Sequence, residues 1–478
     1  MYRRTKVVAT IGPACAERGQ LERLLKSGVD VFRLNFSHGD LQQKEIWIKQ
    51  IREISAEQQK VVAILGDLQG PKIRTGLMRN GSQELLAGQD VIITTADIEG
   101  ADGLIPTNYQ ALPQDVVAGD QILLDDGQLE LKVLRVEVEQ VYCRVIFGGQ
   151  LKNRKGINLP GVKISAAAMT DKDLADLKFA IAQKLDWVAL SFVRTAAEVG
   201  QLKQILLEHK SAIRVIAKIE KPEAVDNFAA ILDVTDGVMV ARGDLGVEVP
   251  SEQVPLIQKM IIRKCNQQGK PVITATQMLE SMIAHPRPTR AETSDVANAI
   301  LDGTDAVMLS GETAAGLYPF AAVEVMDRIA RDIESHPDLK QKRFVVPAAD
   351  SLVQDLPNAI GLAACQVAET VGAAAILAFT QTGGTVALVA KYRPALPIIA
   401  VTPNQQVRRY LALYRGVNSL QVDIQGGTEE QILSLEAAVL KSGLLAAGDV
   451  VVITMGSPIS APGTTNLLKI HQLSSRDS

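Results

Sequence analysis

Lys218 and Glu220 lie two apart in the apolar segment Arg214-Val-Ile-Ala-Lys-Ile-Glu220, and a second apolar segment, Gly237-Val-Met-Val-Ala-Arg-Gly-Asp244, ends on another carboxylate. Strand residues two apart point to the same face. Lys218 and Glu220 are therefore expected side by side at the end of a buried strand, with Asp244 facing them from the next. Two carboxylates with few competing donors suit Mg²⁺ or Mn²⁺, and an adjacent ammonium suits an anionic oxygen. That set asks for a substrate carrying phosphate, carboxylate or enolate. One buried Lys–Glu pair plus a turn aspartate is the plainer alternative, but buried pairs carry a desolvation cost and rarely recur at strand ends.

Eight short apolar runs could position such residues: Val7–Gly12, Val31–Ser37, Val61–Asp67, Trp187–Val193, Val215–Glu220, Val238–Asp244, Val272–Gln277 and Ala306–Glu312. They are too short for helices and rich in Val, Ile and Ala, as buried parallel strands are. Helical patterns lie between most of them, such as Gln253–Gln267 and a segment opened by the capping box Thr289-Arg-Ala-Glu292. This alternation implies a (β/α)₈ TIM barrel, whose chemistry sits where strands end at the C-terminal face.

The gap from the third run to the fourth is several times longer than the others. It holds strand-like runs at Asp90–Thr95, Gln121–Leu124, Leu129–Val138 and Val141–Phe147. It reads as a small β-barrel domain inserted after strand three, able to close over the site. Past about Lys340 the rhythm resets into a C-terminal α/β domain, with strands expected at Ala374–Thr380, Pro397–Thr402 and Asp449–Thr454. The expected division is residues 1–70 and 166–340 for the catalytic barrel, 71–165 for the insert and 341–478 for the C-terminal domain.

Composition narrows the field. The chain has 478 residues, too many for one core. A net charge of −4 and 4% aromatic residues leave no basic, stacking surface for nucleic acid. Cys15, Cys143, Cys265 and Cys365 are scattered, which argues against a disulfide framework or zinc site and for a reducing cytoplasm. No apolar run is long enough for a membrane span, and the one at the start is too short for a signal peptide.

The polar residues at the strand ends are Arg33, Asn35, Ser37 and His38 (second run), then Asp67 and Gln69-Gly-Pro-Lys72-Ile-Arg74 (third). Lys218 and Glu220 (fifth), Arg242-Gly243-Asp244 (sixth), Thr274 and Thr276 (seventh), and Ser310 and Glu312 (eighth) complete the set. Several cations around two candidate metal carboxylates fit phosphoryl transfer, where positioned charge does most of the work. Each residue also has a structural alternative. Arg33 suits an ion pair with Asp67, His38 a helix cap, Thr276 ordinary packing and Glu312 a helix N-terminal acid.

These residues resemble the pyruvate kinase family along nearly the whole chain. The carriers are Val31-Phe-Arg-Leu-Asn-Phe-Ser-His-Gly39, Gly66-Asp-Leu-Gln-Gly-Pro-Lys-Ile-Arg74, Lys155-Gly-Ile-Asn-Leu-Pro-Gly161 and Ala217-Lys-Ile-Glu-Lys-Pro-Glu-Ala224. With them go Met239-Val-Ala-Arg-Gly-Asp-Leu-Gly-Val-Glu248, Thr274-Ala-Thr-Gln-Met-Leu-Glu-Ser281 and Met308-Leu-Ser-Gly-Glu312. The resemblance implies transfer of phosphoenolpyruvate's phosphoryl group to ADP, giving pyruvate and ATP. It implies that Lys218 stabilises the transferring phosphoryl and the enolate, and that Glu220 and Asp244 hold Mg²⁺. It gives Gly243, Asp244 and Thr276 the substrate carboxylate, Arg33 the phosphate, and Asn35, Ser37, His38, Arg74 and Lys155 the nucleotide. A water near Thr276, Ser310 and Glu312 is expected to protonate the enolate.

Many members of that family need K⁺, held by residues matching Asn35, Ser37, Asp67 and the backbone at Leu68, and they carry a glutamate where this chain has Lys72. An ammonium there can stand in for K⁺, and Leu68 and Gln69 also resemble the K⁺-independent variety. Activity without K⁺ is therefore expected. In the C-terminal domain, Thr380, Thr382, Gly383, Gly384 and Thr385 form a strand-to-helix turn suited to phosphate or simply to a tight turn. The resemblance implies a phosphorylated allosteric effector there, helped by the loop Ser460–Thr465. It further implies a homotetramer, without the extra C-terminal domain of some bacterial relatives. Two other readings remain: a Mg²⁺-dependent aldolase or lyase barrel, which would not need Lys155, and a silent regulatory barrel, which would not need Lys218, Glu220, Asp244 and Thr276 intact.

Overall fold

The computed structural model describes residues 2–336, 356–423, 427–456 and 465–474. Eight parallel strands close into a barrel: Lys6–Thr10, Val31–Asn35, Ala63–Asp67, Trp187–Leu190, Arg214–Ile219, Gly237–Ala241, Val272–Ala275 and Ala306–Leu309, called strands one to eight below. Each neighbours the next around the ring, and strand eight pairs with strand one. Alternate side chains divide between two cores. Val7, Ala9, Leu34, Ile64, Val188 and Val215 face the surrounding helices, while Val8, Leu65, Trp187, Ile216 and Met239 fill the interior. Ile216 has the same parity as Lys218 and Glu220, so these two also belong to the inward set, one and two steps nearer the barrel mouth.

Seven of the eight strands end earlier than their apolar runs; strand three alone reaches the end of its run, at Asp67. Beyond Ala275 the chain leaves the ladder through Thr276 and Gln277, both at positive φ (67° and 52°). Beyond Ala241 it turns directly into the helix Arg242–Glu248. Ser37, Glu220, Asp244, Thr276, Ser310 and Glu312 thus sit past the strand ends on the C-terminal rim, while Arg33, Asn35, Asp67, Lys218 and Thr274 lie within their strands.

Between strands three and four the chain builds a six-stranded sheet and a two-stranded ribbon, Ser82–Leu85 with Gly149–Lys152. They share a core of Ile93, Ile105, Ile122, Leu131, Val141 and Leu151, among others. Polar contacts seat this insert on the rim. Asn158 Nδ2 donates to Glu248 Oε1 at 2.8 Å, and Arg194 donates to the carbonyls of Ile164 and Ala166.

The last portion forms a five-stranded sheet in the order Val417–Gln421, Ile398–Thr402, Ala375–Phe379, Val450–Met455, Leu467–Gln472, antiparallel only at the final pair. It packs beneath the opposite, N-terminal end of the barrel. There Trp187 Nε1 donates to Tyr410 O at 3.1 Å, and buried Asp186 accepts from Arg52 and Arg409, both at 2.7 Å. The junction near residue 340 lies outside the described residues.

Candidate functional site

Lys218 stands at the centre of the C-terminal mouth. Its ammonium donates to Ser191 Oγ at 2.8 Å and pairs with Glu220 Oε1 at 2.8 Å and Asp67 Oδ1 at 3.3 Å. Asp67 is held from its other side by Arg33, whose Nε and Nη2 both lie 2.7 Å from Oδ2. Arg33 Nη1 also donates to Thr10 Oγ1 at 2.9 Å. The Arg33–Asp67 pair anticipated as a structural alternative therefore exists. It leaves two of the five guanidinium N–H groups without a partner in this cluster.

Charge in this pocket is unbalanced. Burial alone would push Lys218 down, but Asp67, Glu220 and Asp244 outweigh it and hold the ammonium well above its ordinary pKa. Burial would likewise raise Asp67, yet Lys218 and Arg33 hold it below the usual carboxylate range. Glu220 goes the other way. Burial and the nearby Asp244 raise it, despite Lys218 and the Phe192 N–H that donates to Oε2 at 2.6 Å. The cluster holds one more carboxylate than it has cations, and Glu220 is the one pushed up.

That donor set fits a small hard cation. Mg²⁺ is commonly held by one or two carboxylates while keeping waters and substrate phosphate oxygens. Among the described residues no group of three or more His, Cys, Asp or Glu side chains forms a ready metal cage.

Beside this cluster, Gly243 N–H donates to Thr276 Oγ1 at 2.7 Å, and that hydroxyl donates to Ala275 O at 2.6 Å. Arg242 secures the turn by donating to Thr276 O at 2.9 Å and pairing with Asp295 at 2.6 Å. Glu312 is buried, and both its oxygens accept backbone N–H groups, from Leu279 at 3.1 Å and Ser310 at 2.7 Å. Thr274 lies apart from the mouth and bonds Thr304 Oγ1 at 3.0 Å.

The remaining candidates flank the mouth. Asn35 Oδ1 accepts from Ser37 N at 2.9 Å. His38 caps no helix; Asp40 does, taking Gln43 N–H at 2.7 Å. Burial first, then the surrounding Arg74, Lys72, Lys44 and Arg33, holds His38 below its ordinary pKa. Lys72 and Asp244 line one cleft between barrel and insert, together with Asp126, Asn158 and Lys221. Lys155, on the insert, pairs with Asp125 at 2.8 Å.

Thr380–Thr385 is not part of this mouth. It lies against the other end of strand five, where Arg214 Nη2 donates to Thr382 O at 3.1 Å. Gly383 N–H donates to Thr380 Oγ1 at 2.7 Å, and Thr385 Oγ1 lies 2.9 Å from Thr465 Oγ1. Residues 460–464 of the associated loop lie outside the described residues.

Comparison with known proteins decides the family. A model described as the pyruvate kinase barrel domain matches residues 2–323, and one described as the pyruvate kinase alpha/beta domain matches residues 358–471. The chain belongs to the pyruvate kinase family. It is 46% identical to the pyruvate kinase of Staphylococcus aureus strain USA300 over 472 residues, covering 98% of this chain and 80% of that one, and equally to that of strain N315. A crystal structure of a pyruvate kinase from Cryptosporidium parvum matches with a TM-score of 0.90 at 40% identity, over 98% of this chain and 96% of that one. The activity is the glycolytic phosphotransferase reaction of pyruvate kinase, phosphoenolpyruvate and ADP giving pyruvate and ATP. Members of the family generally need Mg²⁺.

Sequence reasoning missed several residues of the site. Ser191 follows the last residue of strand four and touches Lys218, yet it carries no charge and hides in an apolar run. Its signal was its place at a strand end, which it shares with Thr10, the hydroxyl that takes Arg33 at the end of strand one and that was missed as well. Lys221 and Glu248, paired beneath Asn158, lie beyond the strand ends and carried no signal of their own.

Proposed function

We propose that Lys218 is the residue that stabilises the transferring phosphoryl group and the enolate left behind. Arg33, with two N–H groups to spare, grips the phosphate. The observation that carries this reading is the Lys218 ammonium at the mouth, joined to Asp67 and Glu220 at 3.3 and 2.8 Å. Glu220 and Asp244 are the residues that would hold Mg²⁺ or Mn²⁺, and their mutual repulsion supports that assignment. The bound cation supplies positive charge to the substrate oxygens. The substrate carboxylate takes the Gly243 and Asp244 backbone and the Thr276 hydroxyl, displacing the bond these groups now make to each other. A water near Thr276, Ser310 and Glu312 protonates the enolate. Because Glu312 already accepts two backbone N–H groups, it orients that region rather than carrying the proton itself.

Asn35, Ser37, His38, Arg74 and Lys155 serve ADP and ATP. Lys72 takes the place of K⁺, in a family site otherwise made by Asn35, Ser37, Asp67 and Leu68. Two observations support this. Lys72 has no ion-pair partner among the described residues, and its charge is felt at His38. A phosphorylated effector binds at Thr380, Thr382, Gly383, Gly384 and Thr385. Its influence has a short route, since strand five carries Arg214 at one end and Lys218 at the other.

The domain limits we propose are 1–70 with 166–340, 71–165 and 341–478. We also propose a cytoplasmic homotetramer. Four buried free thiols support the reducing compartment, and exposed Leu256 and Leu317 give apolar surface that assembly would cover. Among the described residues no helix is long and apolar enough to cross a membrane. A coupled assay with phosphoenolpyruvate, ADP and Mg²⁺ tests the site. Glu220→Gln and Asp244→Asn should each raise the Mg²⁺ concentration needed for half-maximal rate, and an unchanged requirement in both would reject the metal assignment.

A further inference from the structure

We propose that Ser191 is a positioning residue for Lys218, holding the ammonium in place while Glu220 exchanges it for a metal ion. This rests on the reading of Lys218, Glu220 and Asp244 given above.

Strand four stands between strand three, which brings Asp67, and strand five, which brings Lys218. Ser191 follows the last residue of strand four and is 2% exposed. An ammonium can only donate, so the 2.8 Å contact makes Ser191 Oγ the acceptor of a Lys218 proton. The one hydroxyl proton is then free to go elsewhere. Leu68 O, at 2.7 Å, is far better placed to receive it than Asp67 Oδ1, at 3.5 Å. The hydroxyl therefore has a fixed direction. It faces Lys218 with a lone pair and ties strand four to the residue after Asp67.

The three ammonium protons have three partners: Ser191, Asp67 and Glu220. None is left for a phosphoryl oxygen. Asp67 is already committed to Arg33, and Ser191 is committed to Leu68, so neither can follow the ammonium if it moves. Glu220 is held too, by the Phe192 N–H on Oε2 at 2.6 Å, but that partner is a neutral amide on the other oxygen. Oε1, which now meets Lys218, is therefore the oxygen that would hold a cation with Asp244. With Glu220 engaged on a metal ion, one Lys218 proton would be free for the substrate, and Ser191 and Asp67 would keep the ammonium from following. Without the serine acceptor, the ammonium settles onto the carboxylates and competes with the metal.

The test uses the full-length protein and Mn²⁺ alone, with binding read by titration calorimetry or by the spin signal of free Mn²⁺. Ser191→Ala should bind Mn²⁺ about three- to tenfold more weakly, the scale of one net hydrogen bond. Its kcat should fall about tenfold or more, the scale of a hydrogen bond to a charged group, with KM for ADP unchanged. In the Lys218→Met background the serine should no longer matter, so the double variant should bind Mn²⁺ like Lys218→Met alone. If Ser191→Ala fails to fold, Ser191→Cys, of similar volume and a weaker acceptor, carries the same expectations at smaller amplitude. Unchanged Mn²⁺ binding, unchanged kcat, or a serine effect that persists without Lys218 each overturns the proposal. Near-normal turnover by Lys218→Met would instead overturn the underlying reading of Lys218, so the two failures are distinguishable.

Discussion

Lys218 Nζ lies 2.8 Å from Glu220 Oε1, two residues on and just past the end of strand five. A flexible ammonium and a carboxylate so placed would normally cancel. Here burial and Asp244 push Glu220 up, while Asp67 and Glu220 together keep Lys218 charged against its burial. A buried charge pair of this sort contributes little to stability but gives a definite geometry.

The Thr276 hydroxyl is expected to matter through the substrate carboxylate. Thr276→Ala removes the partner of Gly243 N–H as well as a substrate contact. The value of kcat/KM for phosphoenolpyruvate should fall about ten- to a hundredfold, and Thr276→Ser should recover most of it. Steady-state kinetics on the two variants checks this, and equal losses in both would point to packing instead.

Lys72 should make K⁺ unnecessary. In Tris buffer free of K⁺, the protein is expected to turn over at essentially its full rate, and Lys72→Glu should require added K⁺. Initial rates over a K⁺ titration decide it. A wild-type requirement for K⁺ would refute the substitution of charge.

His38 should titrate below its ordinary value of 6.5, because burial and four nearby cations favour the neutral ring. The sign follows from linkage. The unfolded chain takes up the proton first, so stability falls as pH drops from 6.5 through the lowered folded value and is intact above it. ADP brings phosphate charge to the same cations and should raise this pKa, so ADP should bind more tightly as pH falls through that window. The ring proton signals that disappear in His38→Gln report both effects. A pKa at or above 6.5 in the free protein would contradict the arrangement.

The effector turn is tightly constrained at Gly383. Its φ is 88°, and a Cβ there would lie 1.6 Å from the Tyr410 hydroxyl. Gly383→Ala should lower the unfolding midpoint and abolish any response of phosphoenolpyruvate saturation to sugar monophosphates, sugar bisphosphates or AMP. A responsive variant would place the effector elsewhere.

The barrel was legible because its strands are short Val-, Ile- and Ala-rich runs buried on both sides, and eight of them alternate with helical patterns. The strand ends were less legible. Thr276 and Gln277 continue the composition of strand seven but adopt left-handed backbone, which the run itself does not signal. Two C-terminal strands, Val417–Gln421 and Leu467–Gln472, escaped notice because they are sheet edges, half-covered and rich in polar residues. In the site, charged residues in apolar runs announced themselves. Ser191 did not, since a serine in such a run costs little and its importance comes from Lys218 and Leu68, far away in sequence.

Replacing Lys218 by methionine tests the central claim most directly. The side chain keeps its length and loses its charge, and the release of pyruvate from phosphoenolpyruvate and ADP with saturating Mg²⁺ is measured. The expected result is a loss of about a hundredfold or more in kcat, at least ~3 kcal/mol, as for one preorganised charge donor. A folded variant that turns over at close to the wild-type rate would contradict the account.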